Sequence, residues 1–258
     1  MTDYPLPNTS QDLSGQVALV TGTTSGLGRR FAQVLASCGA KVAITGRRVE
    51  RLEALAEELR ATGAEVEPIA LDMRDSEAIV ACVEQAEAAL GTVTILVNNA
   101  GIPDAQRAHK MDNQLIDDVF DTNLRGPYVL SCEVARRLIA AELPGRMVNI
   151  SSVGAFNYAG QGAALYSITK AGIIRMTEAL AVEWARYNIN VNAIAPGAFA
   201  SEMMDGMLER MGDISKMFPR KRICDPAQMD STLLYLVSPA SEAVTGTFIK
   251  IDDGQGSR

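Results

Sequence analysis

Histidine is almost absent from this chain, whose 258 residues include only His109. Histidine-rich metal sites and Ser-His-Asp triads depend on that side chain, so neither is expected in the rest of the chain. The four cysteines, Cys38, Cys82, Cys132 and Cys224, lie far apart and match no C-x-x-C spacing. We therefore expect no metal site and interpret the cysteines as buried thiols.

The chain also lacks long apolar runs, a secretory signal and an excess of positive charge. No apolar run is long enough to span a bilayer, and residues 1–12 are polar and slightly acidic. The net charge of −7 disfavours binding to nucleic acid or to an anionic membrane. We therefore predict a cytoplasmic protein with a flexible extension, residues 1–12, and a single domain over residues 13–258.

A glycine-rich turn follows the first apolar run, which begins at Val17. Gly22, Gly26 and Gly28 follow that run, and a helical pattern starts directly after them. A strand, a tight turn and a helix N-terminus in this order aim backbone N–H groups and the positive end of the helix dipole at one point. This pattern predicts a pyrophosphate site, with an ordinary polar loop as the alternative.

Apolar strands and helical patterns alternate along the rest of the chain, without hairpin signals. Such alternation predicts an α/β protein with a doubly wound, seven-stranded parallel sheet covered by helices on both faces. Ligands of such sheets bind at the carboxyl ends of the strands. After the strand at Val17, the predicted strands are 41–45, 66–71, 93–98, 146–150, 190–194 and 247–251, and the two longest helical regions are 111–142 and 164–188.

The end of the second strand indicates the type of dinucleotide. An acidic residue there favours a free ribose hydroxyl, but this chain has Gly46 followed by Arg47 and Arg48. Arginine offers a planar donor fork that suits a 2′-phosphate. These residues favour NADP(H) over NAD(H), with a solvated basic turn as the alternative.

Two further strand ends carry candidate coenzyme contacts. Asp72 ends the third strand, where its carboxylate is placed to accept a hydrogen bond from an adenine amino group, and Met73 follows it. Asn99, Ala100 and Gly101 follow the fourth strand, and the small residues there allow a close approach to the adenine ribose. Asparagine and glycine at strand ends are also common in ordinary turns.

Tyr166 and Lys170 lie four residues apart in a helical pattern and so share one helix face. When a carbonyl is reduced its oxygen needs a proton, and a nearby ammonium group would lower the pKa of a tyrosine that donates it. Ser152 would orient the substrate oxygen, and Lys170 would also hold the nicotinamide ribose. Asn123, a polar residue within an apolar helical pattern, would bend that helix and hold a water near Lys170; the alternative is an amide satisfied by nearby backbone.

Taken together, these motifs in this order resemble those of the short-chain dehydrogenase/reductases over about residues 13–254. The resemblance implies a Rossmann-like, three-layer NAD(P)(H) oxidoreductase with a catalytic tetrad of Asn123, Ser152, Tyr166 and Lys170, usually a homotetramer or homodimer. The predicted coenzyme-binding residues are Gly22, Thr24, Ser25, Gly26, Leu27, Gly28, Arg47, Arg48, Asp72, Met73, Asn99, Ala100, Gly101, Tyr166, Lys170, Pro196, Gly197 and Ser201.

The chain departs from the family pattern at three positions. Ser152 lies fourteen residues before Tyr166 instead of thirteen, which leaves Ser151 as an alternative. Ser201 replaces a common threonine and keeps its hydroxyl for the nicotinamide carboxamide. Ser25 stands where many members that use NADP(H) have a basic residue, so the coenzyme prediction depends on Arg47 and Arg48.

Methionines are concentrated between Pro196 and Pro219, which in the resembling family covers the substrate. Flexible methionine side chains suit varied apolar ligands, although an amphipathic helix packed into the core would explain them equally well. The candidate substrate contacts are Ser152, Phe156, Tyr158, Phe199, Met203, Met204 and Met207.

Three functions are therefore considered. The leading hypothesis is an NADP(H)-dependent carbonyl reductase or alcohol dehydrogenase for hydrophobic ketones and secondary alcohols. The second is a 3-oxoacyl-[acyl-carrier-protein] or 3-oxoacyl-CoA reductase; Leu143 and Tyr187 stand where members that dock the carrier protein tend to have arginines, although Arg136, Arg137 and Arg175 leave it open. The third is a catalytically silent protein that senses a dinucleotide, which would not need Tyr166 and Lys170.

Overall fold

The parallel sheet predicted from the sequence is present in the computed structural model, which describes residues 4–158, 160 and 162–256. All seven strands run parallel in the order β3-β2-β1-β4-β5-β6-β7. The order reverses beside β1, whose two neighbours are β2 and β4. The strands are β1 Val17–Thr21, β2 Lys41–Gly46, β3 Val66–Ala70, β4 Ile95–Asn98, β5 Gly145–Ile150, β6 Ile189–Pro196 and β7 Phe248–Ile251.

Helices cover both faces of the sheet and form two separate cores. The helices are α1 Gly26–Ser37, α2 Val49–Arg60, α3 Ser76–Leu90, α4 Asn113–Phe120, α5 Gly126–Ala141, α6 Ala164–Trp184, α7 Glu202–Met211 and α8 Asp230–Val237. Side chains of α1, α2 and α8 pack on one face, and side chains of α3, α5 and α6 pack on the other. Every residue of β1 and of β6 is buried, because the sheet is covered on both sides.

The long helical region predicted over 111–142 is interrupted in the structure. A π-helical turn, Asp121–Arg125, lies between α4 and α5 and contains Asn123. Just after it, a Cβ on Gly126 would lie 2.4 Å from the carbonyl oxygen of Met73, so the helix passes directly against the segment after β3. Short π-helical turns within helices often occur at functional sites.

Two further boundaries differ from the prediction. The helix predicted over 164–188 ends at Trp184 and continues as a single 3₁₀ turn, Ala185–Tyr187, because Asn188 adopts a left-handed conformation with φ of 58°. Helix α8 was not predicted.

The N-terminal extension lies on the surface: residues 4–12 are exposed and Leu13 is buried. The flexibility of this extension remains a prediction. None of the helices within the described residues is long and apolar enough to cross a membrane.

Candidate active site

A cleft of about 670 Å³ lies at the carboxyl ends of the strands and brings most of the predicted site residues together. Its walls come from the turn after β1, the ends of β2 to β6, the start of α6 and one side of α7. The predicted residues that line it are Gly22, Thr24, Ser25, Gly26, Leu27, Arg47, Arg48, Asp72, Met73, Asn99, Ala100, Gly101, Ser152, Tyr166, Lys170, Pro196, Gly197, Phe199, Ser201, Met203, Met204 and Met207.

The glycine-rich turn has a backbone that side chains would disrupt. Gly22 and Gly26 have positive φ values of 71° and 55°. A Cβ on Gly28 would lie 2.2 Å from the carbonyl oxygen of Gly22, so α1 packs directly beneath the turn. The Asn99 amide donates hydrogen bonds to the carbonyl oxygens of Thr21, at 2.8 Å, and of Gly22. Gly28 and Asn99 therefore fix the shape of the turn.

The end of β2 leaves little space for a side chain. A Cβ on Gly46 would lie 2.8 Å from the Thr24 methyl group, so a larger residue there would require the Thr24 side chain to move. The exposed Arg47 follows, and within the described part of the chain it has no hydrogen bond or ion pair. At the end of β2, the cleft therefore presents the guanidinium group of Arg47 without a hydrogen-bond or ion-pair partner among the described residues.

A carboxylate from a distant segment nevertheless reaches the basic turn. Glu202, the first residue of α7, forms an ion pair with Arg48 at 2.8 Å and another with Arg51. Arg48 also donates to the hydroxyls of Thr24, at 2.7 Å, and Ser25. Hydrogen bonds from Arg51 and Arg48 hold the pKa of Glu202 below its ordinary value. The sequence places no carboxylate at the end of β2 itself, but the fold brings Glu202 there from more than 150 residues further along the chain.

Asp72 lines the cleft, but both oxygens of its carboxylate already accept hydrogen bonds from Arg74. Arg74 donates to both oxygens, at 3.0 and 2.7 Å, and forms a second ion pair with Asp118 of α4 at 2.8 Å. The Arg74 hydrogen bonds hold the pKa of Asp72 below its ordinary value. Arg74 was not identified from the sequence, although its position two residues after Asp72 could have indicated such a pair.

Tyr166 and Ser152 form the centre of the cleft. The Ser152 side chain acts to lower the pKa of Tyr166, and Ser152 Oγ accepts a hydrogen bond from the Gly154 N–H at 3.0 Å. The neighbouring Ser151 is buried, and its hydroxyl donates to the backbone carbonyl of Lys170 at 2.8 Å. This arrangement favours Ser152 over Ser151 as the substrate-orienting residue, because only Ser152 faces Tyr166.

Lys170 lies one helical turn beyond Tyr166 with its ammonium group buried. Its Nζ donates to the carbonyl oxygen of Ile150 at 2.8 Å and lies 5.6 Å from the centre of the Tyr166 ring. Burial lowers the pKa of Lys170 to about 8. Burial also raises the pKa of Tyr166, with smaller contributions from Ser152, which lowers it, and Asp104, which raises it. The expected lowering of the tyrosine pKa is therefore wrong for this structure, because desolvation by burial is the largest influence on that pKa.

Asn123 lies behind the cleft wall, where its amide forms two hydrogen bonds with the backbone of Ile102 and a longer one, at 3.4 Å, with the Thr169 hydroxyl. Its Oδ1 accepts from the Ile102 N–H at 2.8 Å, and its Nδ2 donates to the Ile102 carbonyl at 2.9 Å. A Cβ on Gly101 would lie 3.4 Å from both Asn123 Oδ1 and Lys170 Nζ. These contacts agree with the alternative of an amide satisfied by backbone, within a helix that is locally distorted as expected.

The methionine-rich segment forms a wall of the cleft. Helix α7 has no buried residue, and Met203, Met204 and Met207 line the cleft beside the buried Phe199. Packing of α7 into the core is therefore wrong as an explanation of these methionines. Ser201 caps α7 by accepting from the Met204 N–H at 3.2 Å.

Phe156 and Tyr158 do not line this cleft, contrary to their prediction as substrate contacts. The Phe156 ring packs against Phe248 of β7 with centroids 5.1 Å apart, and Lys250 Nζ lies 4.3 Å from its centroid. Tyr158 is half exposed. The turn Val153–Ala155 carries the chain away from Ser152, so residues only four and six positions later lie elsewhere.

Comparison with known proteins agrees with this geometry. A family model described as short chain dehydrogenase matches residues 16–211. The chain is 37% identical to acetoacetyl-CoA reductase from Acinetobacter sp., over 93% of this chain and 97% of that protein. It is 35% identical to 2-dehydro-3-deoxy-D-gluconate 5-dehydrogenase from Dickeya dadantii, over 94% and 96%. A crystal structure of a variant of actinorhodin polyketide ketoreductase with NADPH superposes with a TM-score of 0.90 and 33% identity, covering 97% of this chain and 100% of the other.

Proposed function

This chain belongs to the short-chain dehydrogenase/reductase family of NAD(P)(H)-binding oxidoreductases that act on CH–OH and C=O groups, and from that premise we propose that it is an NADP(H)-dependent carbonyl reductase. Its substrates are hydrophobic ketones and, in the reverse direction, secondary alcohols. The observation that carries the proposal is the pair of Tyr166 and Ser152 beside buried Lys170, in a cleft that also contains the glycine-rich turn.

The residues of the cleft fit a phosphorylated dinucleotide. The turn at Gly22 and Gly26 presents bare backbone beside the N-terminus of α1, which suits a pyrophosphate. Gly46 places no acidic side chain at the end of β2, and Arg47 and Arg48 follow it at the ribose end, the part of the cleft where the adenosine ribose would lie. When bound, the nicotinamide coenzyme supplies or accepts the hydride. The NADPH named in the ketoreductase structure further supports this choice.

Three side chains have separate roles in the reduction of the substrate carbonyl. Tyr166 donates its phenolic proton to the oxygen as negative charge develops there, and its raised pKa keeps it protonated near neutral pH. Ser152 orients the same oxygen by a hydrogen bond. Lys170 holds positive charge beside the tyrosine and would hold the ribose of a bound nicotinamide coenzyme. Asn123 fixes Ile102 at the wall of this site.

The walls support a hydrophobic substrate. Met203, Met204, Met207 and Phe199 provide an apolar surface, and flexible methionine side chains adjust to different apolar shapes. Acetoacetyl-CoA reductase among the relatives favours a second candidate, reduction of 3-oxoacyl thioesters. Leu143 and Tyr187, at positions where arginines are expected for carrier-protein docking, favour the coenzyme A ester over the carrier protein as the form of that substrate.

A homotetramer, or a homodimer, is part of this proposal. Large apolar side chains are exposed on α5, α6 and α8, including Tyr128, Ile168, Val182 and Tyr235. Val182 is 82% exposed in the single chain, which is unusual for valine on a helix. Sedimentation equilibrium measures the assembly directly, and a monomer at micromolar concentration would contradict the proposal.

A panel of ketones, secondary alcohols and 3-oxoacyl thioesters, assayed with NADPH and NADH, tests the function. We expect the highest kcat/KM for bulky apolar ketones with NADPH. Higher values for 3-oxoacyl-CoA would select the second candidate, and activity with NADH alone would contradict the coenzyme assignment.

Serine variants test the methionine wall. Replacing Met203, Met204 and Met207 by serine is expected to raise KM for apolar ketones more than for small polar ones. Met217→Ser is the matched control, because Met217 is 69% exposed and does not line the cleft. Equal effects on both ketone classes would contradict a role of these methionines in substrate binding.

A further inference from the structure

The helix that carries Tyr166 begins without a cap of its own. Helix α6 starts at Ala164, and the residue before it, Ala163, has no side-chain acceptor. The first N–H groups of any helix have no partner within the helix, so they need acceptors from elsewhere. Tyr166 lies in this first turn, where helices fray most readily, and so the position of its phenol depends on what holds the turn.

Asp104, from the loop after β4, supplies the missing acceptor. Its Oδ2 accepts from the N–H groups of Leu165, at 2.9 Å, and Tyr166, at 3.1 Å. Its Oδ1 accepts from the N–H of Ala105 at 2.8 Å. The side chain is 3% exposed, so these are charge-assisted hydrogen bonds shielded from water. A buried carboxylate thus caps the catalytic helix from a position about sixty residues earlier in the chain.

The loop that carries Asp104 is itself fixed at both sides. Asn123 holds the backbone of Ile102, two residues before Asp104, by accepting a hydrogen bond from its N–H and donating one to its carbonyl. Ala105 has a φ of 49°, a left-handed conformation that is uncommon for a residue with a side chain. Beyond it, a Cβ on Gly162 would lie 3.3 Å from the Gln106 carbonyl carbon, so the loop packs against the segment that enters α6. A continuous set of contacts therefore joins the π-helical turn to the start of α6.

We propose that Asp104 is a positioning residue for Tyr166: by capping the first turn of α6 from the loop after β4, it holds the phenol opposite Ser152. This inference rests on the proposed function for the step that the phenol performs. The buried carboxylate, which also lines the cleft, stabilises the backbone of Tyr166 by accepting hydrogen bonds from the N–H groups of Leu165 and Tyr166.

The charge of Asp104 has a second, measurable effect on the same tyrosine. Among the described residues, the charged side chains that the structure places around the Tyr166 ring are Asp104, from the loop, and Lys170, from the next turn of α6. Asp104 contributes to raising the pKa of Tyr166. Neutralising Asp104 therefore lowers that pKa, so alcohol oxidation, which needs the phenolate as base, begins at lower pH.

Asp104→Asn and Asp104→Ala test the proposal, with Asp75→Asn and Asp75→Ala as matched controls. Asp75 caps α3 in the same way, accepting from the N–H groups of Glu77 and Ala78 at 2.9 and 3.0 Å, away from the cleft. We expect Asp104→Ala to lower kcat by roughly ten- to hundredfold through misplacement of the phenol. Its Kd for NADPH, measured by fluorescence titration, should stay within about twofold of the wild type.

Two further measurements separate positioning from general stability. Hydrogen exchange followed by mass spectrometry should show faster exchange at the start of α6 in both Asp104 variants, and at the start of α3 in the Asp75 variants. The pH profile of kcat/KM for oxidation of the best alcohol in the panel should move to lower pH in Asp104→Asn only. If Asp104→Ala does not fold, the isosteric Asp104→Asn variant alone tests whether Asp104 positions Tyr166.

The outcomes that overturn the inference are distinct from those that overturn the function. Unchanged exchange at the start of α6, or Asp104 variants that match the Asp75 variants in kcat and pH profile, would refute the role of Asp104. A wild-type protein inactive with every carbonyl compound would instead refute the proposed function. In that case the exchange at the start of α6 still decides whether Asp104 fixes this turn.

Discussion

The two ends of the cleft are built in contrasting ways. At the catalytic end, Lys170 is 4% exposed, and Asn123 and Asp104 are buried as well. At the ribose end, the side chains of Arg48 and Glu202 are 43% and 48% exposed, and their partner Arg51 is similarly open. Polar side chains at the catalytic end form hydrogen bonds mainly with backbone atoms. Charged side chains at the ribose end form ion pairs with one another and remain in contact with solvent.

This difference determines how each end responds to change. Leaving a buried polar group without its hydrogen-bond partner lowers the stability of the fold by about 1–3 kcal/mol. The positions of the groups at the catalytic end are therefore tightly fixed. Exposed ion pairs are worth about 0–1 kcal/mol, so the arginines of the ribose end can exchange Glu202 for a phosphate at little cost. We therefore expect substitutions at the first end to change kcat and substitutions at the second to change coenzyme preference.

Removing the phenolic hydroxyl should have the largest effect. Tyr166→Phe eliminates the proton donor and is expected to lower kcat by about 10²- to 10⁴-fold, while Kd for NADPH stays nearly constant. Steady-state kinetics and fluorescence titration measure the two quantities. Tyr235→Phe, at a half-exposed tyrosine of α8, is the control and should match the wild type. Substantial turnover by Tyr166→Phe would mean that another group supplies the proton.

The pH dependence of ketone reduction should report the buried lysine. Burial lowers the pKa of Lys170 from an ordinary 10.5 to about 8, so its ammonium form is lost as pH rises through about 8. Tyr166, with its pKa raised above 10, stays protonated over the same range.

Because kcat/KM reports ionisations of the free enzyme, we expect kcat/KM for reduction to fall above pH 8, by up to about tenfold per pH unit. A profile that stays flat to pH 10 would show that the ammonium charge is not required.

At the ribose end, loss of an arginine should distinguish the two coenzymes. Arg47→Ala and Arg48→Ala each remove a charge-assisted contact worth about 1.5–3 kcal/mol, so Kd for NADPH should rise by roughly ten- to hundredfold. Kd for NADH should change by less than about twofold. Arg29→Ala, which breaks an exposed ion pair with Glu58 outside the cleft, is the control. Equal losses for NADPH and NADH would contradict a phosphate contact.

The smallest effect is expected at the carboxylate that reaches the same arginines. Glu202→Gln releases Arg48 and Arg51 from an exposed ion pair and should strengthen NADPH binding by about two- to fivefold, with NADH unaffected. Titration with both coenzymes measures it, and Glu209→Gln on the same helix is the matched control. Weaker NADPH binding by Glu202→Gln would show that Glu202 orients the arginines instead of competing for them.

The sequence predicted the fold well where patterns are local. Seven apolar runs separated by helical patterns gave the seven parallel strands, and the glycines at 22, 26 and 28 correctly indicated a turn with φ values and approaches that side chains would not allow. Interruption of the helix at Asn123 was also expected. The missed helix α8 and the shorter end of α6 show the usual weakness of boundaries read from periodicity.

The site was predicted less completely, because several of its partners are distant in the chain. Arg48 was identified and Glu202 was not, since nothing local indicates that α7 begins beside the turn after β2. Asp104 was not identified from the sequence, yet it caps α6. Phe156 was placed in the cleft because it follows Ser152, but it packs on β7.

By itself, the sequence determined the layered sheet, the glycine-rich turn and the types of group at the catalytic centre. These depend on periodic burial and on backbone conformations that each segment expresses locally. Only the tertiary structure decided which charges meet and which ionisable groups are buried, including the carboxylate beneath Tyr166 and the lowered pKa of Lys170. The physical reason is that hydrogen bonds between distant segments and the exclusion of water both arise from packing, which no local pattern encodes.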